Sequence, residues 1–229
     1  MDDAQGVTRV HGHGYVRLVE SWGSDEGIVA AARMSTDGAF RGWPQDERLL
    51  RRLWRDRHSS PFEQAGLAVE VRAPIFVLRQ WQRHRTQSVN EESARYVALE
   101  AVDYAPTLDR VMSGGQSADN RQASGEPVTR EAATTWLQAL ASLQAHAEGV
   151  YQLGLEAGIS RELARCALTV GRFSRMRASA NLRNWLAFLA LRLAPDAQPE
   201  IRDYARAVAA LVAERFPRTW AIARGDIET

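Results

Sequence analysis

Lysine does not occur in this sequence; all 29 positions counted as lysine or arginine are arginine. A GC-rich genome produces that bias by itself, so arginine content alone does not indicate phosphate binding. The single cysteine, Cys166, excludes a disulfide within the chain and a multi-cysteine zinc site. It falls inside an expected helix beside Leu168, which reads as a small buried core residue. A nucleophile would need an exposed niche that favours the thiolate. Long apolar runs are missing too. No window approaches the roughly 20 apolar residues that span a bilayer, and the polar stretch from Met1 to Val10 does not resemble a signal peptide. The expected compartment is the cytoplasm, with no membrane partner. A formal net charge of +1 gives no bulk attraction to polyanions. The five histidines form no pair at helical ligand spacing, so no metal site is expected. His11 and His13 read as tail residues, and His146 as exposed.

What is present is enough apolar residue for one core. The 229 residues, 45% of them apolar, fit a single domain over 1–229. Val16 to Val19 reads as a short strand, and Asp25 as the N-cap of a helix to about Met34. A second helix fits Gln45 to Arg57, with Leu49, Leu50, Leu53 and Trp54 on one face. Leu67, Val69 and Val71 alternate with Ala68, Glu70 and Arg72, a period-2 strand. Pro74 suits the first turn of a helix reaching about Arg85. Residues 105–126, rich in Gly, Ser, Asp and Asn, read as a mobile surface loop. Helices are expected from about Thr129 to Ala157 and from Ser160 to Leu168, then a strand over Val170 to Ser179. Asn181 caps the helix carrying Leu182, Trp185, Leu186, Leu189 and Leu193, and Pro199 opens another to about Arg215. Helices outnumber strands, which gives an α+β class.

The densest polar cluster runs from Arg79 to Tyr96. Arg79, Arg83 and Arg85 present planar forks suited to phosphates. Ser88, Asn90 and Ser93 add short donors and acceptors, and Glu91 an acceptor for sugar hydroxyls. The mixture suits a nucleotide; a solvated helix end with local ion pairs is the competing reading. RNA binding is disfavoured, since exposed aromatics do not interleave with the arginines. Further along, Arg161 and Arg165 share a helix face, and Asn181 and Arg183 stand at a helix N-terminus that favours anions. Arg192, taken alone, reads as a partner for a helix C-terminus.

Arg83-His84-Arg85, then seven residues, then Ser93, resembles the signature of the flavin-dependent thymidylate synthases. Ala73-Pro-Ile-Phe-Val-Leu-Arg-Gln-Trp81 before it, and Ser88, Asn90, Glu91, Arg95 and Tyr96 after it, fit the family pattern. So do His58-Ser-Ser-Pro-Phe-Glu63, Glu162-Leu-Ala-Arg165, Asn181-x-Arg183, Leu191-Arg192 and the stretch Ala197 to Arg202. The resemblance spans about residues 16 to 217. It implies a mostly antiparallel sheet flanked by helices, and a homotetramer with shared active sites. It implies FAD, hydride from NADPH and a carbon from methylene-tetrahydrofolate. It places Ser60, Glu63, Arg83, His84, Arg85, Asn90, Asn181 and Arg183 at the flavin. It places Gln80, Glu91, Ser93, Arg95 and Arg165 at the nucleotide, with Arg192 as the catalytic cation on the uracil edge. No enzyme nucleophile is then needed.

Four features depart from the family pattern. Gln64 stands where histidine is common, and Val89 where an aromatic residue is common. Thr169-Val-Gly-Arg-Phe-Ser174 replaces a proline-containing turn, and Ala187 replaces an asparagine that contacts flavin. Val89 and the 169–174 segment are expected to border the sugar, where a smaller side chain leaves room for a 2′-hydroxyl. Two substrates stay open, dUMP and UMP, the latter fitting nucleoside-antibiotic biosynthesis. A non-catalytic flavin or nucleotide binder is a third, weaker reading.

Overall fold

The strand from Gly66 to Pro74 organises the fold, because its neighbours lie on both edges and its residues are covered on both faces. The computed structural model describes residues 6–36, 38–43, 45–115 and 125–227. The strands are β1 (Val7–Val10), β2 (Gly14–Trp22), β3 (Gly66–Pro74), β4 (Ser88–Glu91) and β5 (Phe173–Asn181). The helices are α1 (Asp25–Arg33), α2 (Gln45–Arg55), α3 (Ile75–Trp81), α4 (Leu108–Met112), α5 (Arg130–Glu156), α6 (Arg161–Ala164), α7 (Leu182–Arg192), α8 (Pro199–Arg215) and α9 (Pro217–Ile227). A 3-10 segment covers Ser60–Gln64 and another Arg165–Ala167. The chain falls into two compact units, one from the described residues of 1–72, 77–91 and 175–229, the other from those of 73–76 and 92–174. Among the described residues no helix is long and apolar enough to cross a membrane.

The sheet order is β1-β2-β3-β5-β4. β1 with β2, β2 with β3, and β4 with β5 pair antiparallel. Opposite ends of β3 and β5 also meet: the Leu182 N–H donates to the Ala65 carbonyl and the Ile75 N–H to that of Arg172. This is the expected α+β class with a mostly antiparallel sheet. β3 is buried at seven of its nine residues, so the alternation read in Leu67 to Arg72 does not mark one wet face. Glu70, half-buried, takes hydrogen bonds from Tyr15 Oη at 2.6 Å and Arg17 Nη2 at 2.9 Å. Pro74 ends the strand instead of opening a helix, and the helix after it stops at Trp81, not Arg85.

In the first unit, α8 packs on β1 and β2 and against α7 and α9. Trp81, Trp185 and Phe188 form a buried aromatic cluster, and Trp185 Nε1 donates to the Leu67 carbonyl at 2.8 Å. The cap of α1 is Ser24, whose Oγ accepts from Gly27 N, and not Asp25. Asp25 is buried and caps α9 instead. Its carboxylate accepts from Arg218 N at 2.8 Å, Thr219 N at 3.1 Å and Thr219 Oγ1 at 2.6 Å. The two N–H groups are orphan donors of a helix first turn, satisfied by a side chain 193 and 194 residues away in sequence.

In the second unit, α5 packs against α4, α6 and the Arg165–Ala167 turn. Thr129 caps α5 as a hydrogen-bond acceptor for Ala132 N. The stretch read as a loop over 105–126 contains α4, capped by Thr107; its residues 116–124 lie outside those described. The helix expected to reach Leu168 is α6 followed by the tighter turn, and there Cys166 is exposed, not buried. Arg172 is fully buried, and it anchors the 169–174 segment. Its guanidinium reaches Glu148 Oε2 at 2.6 Å, Asp103 Oδ2 at 3.0 Å and the Glu100 carbonyl at 3.1 Å. Thr169 Oγ1 donates to Asp103 Oδ1 at 2.6 Å.

Removing that cation leaves two carboxylates facing each other. Arg172→Met should cost about 3–5 kcal/mol of unfolding free energy at pH 7, read by urea denaturation. Burial works to raise the Glu148 pKa, but hydrogen bonds from Gln152 and Arg172 outweigh it and leave it lowered. Its share of stability is therefore complete above the ordinary value of 4.5 and lost as pH falls through the lower native value. The penalty of the variant should shrink in acid; a loss under about 1 kcal/mol at pH 7 would refute the role of the triad.

Candidate active site

Helix α7 positions two of the expected arginines at its opposite ends. The buried stripe of Leu182, Trp185, Leu186, Phe188 and Leu189 fixes its rotation against the core. Asn181 caps it through Oδ1, which accepts from Asn184 N at 3.0 Å, as the sequence implied. Its amide nitrogen has no partner among the described residues. Asn184 Nδ2 donates to the Thr86 carbonyl at 3.1 Å and Trp81 Nε1 to Gln87 Oε1 at 2.8 Å. These two bonds hold the turn that carries Arg83, His84 and Arg85.

At the far end of α7, Arg192 is half-buried and meets neutral acceptors. Its Nε donates to His84 Nε2 at 2.9 Å and its Nη2 to the Gln80 carbonyl at 3.1 Å. Among the described residues it has no carboxylate partner, and Nη1 has no partner of any kind. This is not the helix-end role suggested by its position alone. The His84 ring stands edge-on to Phe188, with centroids 4.8 Å apart. Burial first, then the charge of Arg192, pushes the His84 pKa down to about 4. His84 is therefore neutral at neutral pH and carries its proton on Nδ1, leaving Nε2 to accept. Burial also lowers the Arg192 pKa, although a guanidinium stays protonated at neutral pH.

Around this pair, the Gln80 side chain hydrogen-bonds Gln198, which donates to Glu200 Oε2 at 2.8 Å. Gln82 Nε2 donates to Glu91 Oε2 at 2.7 Å. Arg83 and Arg85 are exposed and have no carboxylate partner among the described residues. Asn90 pairs with Arg177 across β4 and β5, and Val89 beside it is exposed. At the near end of α7, Arg183 Nη1 meets Glu63 Oε1 at 2.6 Å, and Ser60 is exposed in the same 3-10 segment as Glu63. Ala187 is exposed. All these residues belong to the first unit.

Three of the expected nucleotide contacts belong to the second unit. Ser93 Oγ accepts from Arg95 N at 3.3 Å, and Arg95 pairs with Glu162 at 3.1 Å. Arg165 Nε donates to the Glu162 carbonyl at 3.3 Å. Among the described residues no His, Cys, Asp and Glu group is placed to hold a metal.

Sequence reasoning missed one feature of the first unit. A cleft of about 840 Å³ is lined by Arg48, Arg51, Arg52, Arg55, Arg57 and Arg183, with Asp226 as its one acidic lining residue. The signal was present: arginines at 48, 51, 52 and 55 follow helical spacing along α2.

Residues 17–218 match a family model described as thymidylate synthase complementing protein. A flavin-dependent thymidylate synthase of Thermus thermophilus is 45% identical over 208 residues, covering 91% of this chain and 74% of that protein. The enzyme of the same name from Anaplasma marginale is 41% identical over 204 residues, covering 89% and 69%. Among solved structures, a UMP/dUMP methylase PolB from Streptomyces cacaoi bound with 5-Br dUMP superposes with a TM-score of 0.84 at 35% identity, covering 96% of this chain and 98% of that one. The same protein bound with 5-Br UMP matches with a TM-score of 0.84 at 33% identity, covering 96% and 97%. Family model, relatives and fold agree, and the chain belongs to the flavin-dependent thymidylate synthase family.

Proposed function

We propose that this enzyme methylates C5 of a uridine monophosphate, with Arg192 as the catalytic cation. The observation that carries the reading is a half-buried guanidinium oriented by two neutral acceptors and quenched by no carboxylate among the described residues. Uracil C5 is a poor nucleophile. A fixed cation at the N3, O2 and O4 edge stabilises negative charge developing on the ring, so C5 can attack a one-carbon donor. C5 then bonds to that carbon and gives up its proton, with no enzyme nucleophile. The exposed thiol of Cys166 has no part in this route.

The residues present fit a flavin dinucleotide. Arg83 and Arg85 offer unpaired forks suited to a pyrophosphate, and Asn181 an uncommitted amide. Glu63, Arg183, Ser60 and Asn90 supply further polar contacts, and His84 a neutral imidazole. When bound, FAD supplies the hydride that completes the methyl group, with NADPH as reductant and methylene-tetrahydrofolate, released as tetrahydrofolate, as carbon donor. Gln80, Glu91, Ser93, Arg95 and Arg165 hold the nucleotide in this reading.

The homotetramer belongs to the same proposal. Trp136, Ala139, Leu143, His146, Val150 and Leu153 follow alternating three- and four-residue steps along α5. All are exposed, Trp136 at 49%, Leu143 at 57% and Leu153 at 65%. Such a seam suits a helix of a second copy.

A specific observation favours a second substrate. Val89 on β4 is small for a position where the family commonly carries an aromatic ring, and the neighbouring PolB structures hold both 5-Br dUMP and 5-Br UMP. UMP turnover is therefore part of the proposal.

Three outcomes are expected. Purified protein should be yellow, bleach with NADPH, and convert dUMP and UMP to products heavier by one methyl group when methylene-tetrahydrofolate is supplied. A kcat/KM for dUMP more than about 100-fold above that for UMP, about 2.7 kcal/mol, ends the UMP reading. Arg192→Ala should lower kcat/KM by about 100-fold or more while flavin stays bound; retained turnover refutes its role. Sedimentation should show a tetramer that Leu143→Glu dissociates, and a monomeric wild type would overturn the assembly.

A further inference from the structure

The cleft along α2 meets the residues assigned to flavin only at Arg183. Its remaining arginines have no role in the reading above. Three of them are partly neutralised: Arg51 pairs with Glu47 at 2.7 Å, and Arg52 and Arg55 share Asp56 at 3.4 Å and 2.8 Å. Arg183 pairs with Glu63, and Asp226 is engaged by Trp54 Nε1 at 2.7 Å. Arg48 and Arg57 are exposed and have no carboxylate partner among the described residues. The cleft is thus a cationic trough with apolar surface from Trp54, Phe62 and Ile222.

Arg57 carries a second observation. Its N–H donates to the Trp54 carbonyl at 3.1 Å, and the His58 N–H to that of Leu53 at 2.9 Å. That bond pattern is the helix-terminating motif whose left-handed residue is usually glycine. Here the residue is arginine, held at φ +56°. The conformation costs an L-residue about 1–2 kcal/mol that glycine would avoid. An arginine there spends stability to place a guanidinium in the trough.

We propose that the cleft along α2 binds the polyanionic end of a co-substrate, through Arg48 and Arg57 above all. A trough of about 840 Å³ suits an elongated small molecule rather than one phosphate. Planar forks suit phosphate and carboxylate oxygens alike. Two co-substrates of the C5-methylation reading carry such an end: NADPH through its phosphates, and methylene-tetrahydrofolate through γ-linked glutamate carboxylates. The identity of the ligand rests on that reading; the cleft and its charge do not.

The test uses flavin-loaded protein and unreactive probes, NADP+, folic acid and folic acid pentaglutamate, followed by calorimetry at low and moderate salt. The variant is Arg48→Ala with Arg57→Gly. Alanine suits an exposed helix position and glycine the left-handed one, so the fold should be at least as stable. Wild type should bind at least one polyanionic probe with strong salt dependence, and the variant should bind that probe at least about tenfold more weakly, about 1.4 kcal/mol. Weakened NADP+ identifies the phosphate source. Weakened pentaglutamate with unchanged folic acid identifies the carboxylate source. Flavin content and nucleotide binding should not change. The proposal is overturned when wild type binds neither polyanion, when the variant binds both within twofold of wild type, or when the variant loses flavin instead. A wild type that binds and discriminates as expected, yet turns over no nucleotide, would sink the methylation reading and leave the cleft standing.

Discussion

The bond from Arg192 to His84 is the constraint on which the proposed chemistry depends. A carboxylate would hold a guanidinium more firmly, but it would also cancel the charge that the pyrimidine needs. A neutral imidazole and a backbone carbonyl orient the cation and leave it uncompensated. That arrangement requires His84 to stay uncharged, which burial against Phe188 and the nearby cation enforce. Phe188 in turn packs on Trp81 and Trp185, so the aromatic core and the reactive cation are parts of one arrangement.

Arginine, the only long cationic side chain of this protein, is used under three electrostatic regimes. Arg172 is fully buried, with two carboxylates and a carbonyl around it. Arg192 is half-buried with neutral partners. Arg48 and Arg57 are exposed in a cleft where cations outnumber acids. Composition alone distinguishes none of these. Position in the fold makes one guanidinium a structural tie and suits the others to the proposed roles of polariser and ligand contact.

Much of the fold was legible where local chemistry decides. Asn181 caps the helix it was expected to cap, the helix expected from about Thr129 begins at Arg130, and Pro199 opens a helix that ends at Arg215 as expected. The failures occur where distant residues decide. Asp25 looks like a cap for its own helix, but its carboxylate serves the first turn of α9. Helix α9 was not among the expected helices, although Pro217 is well suited to a first helical turn. Cys166 was expected to be buried because it is small and stands near apolar Leu168, but it lies exposed in the 3-10 turn Arg165–Ala167. At the candidate site, motif order pointed to Arg83, His84 and Arg192, but not to the hydrogen bond joining the last two. The 169–174 departure was expected to border the sugar, but nothing in its sequence announced that Arg172 is buried between Asp103 and Glu148.

The partners in the His84–Arg192 contact are 108 residues apart in the chain. The residues of the second unit all lie within the stretch that separates them, apart from four at its start before His84. Closing so long a segment carries a large entropic cost, and contacts of that separation tend to form after local helices are in place. On a growing polypeptide, His84 emerges from the ribosome long before its partner does. The contact that orients the proposed polarising cation therefore cannot form until most of the scaffold that will hold it has been synthesised.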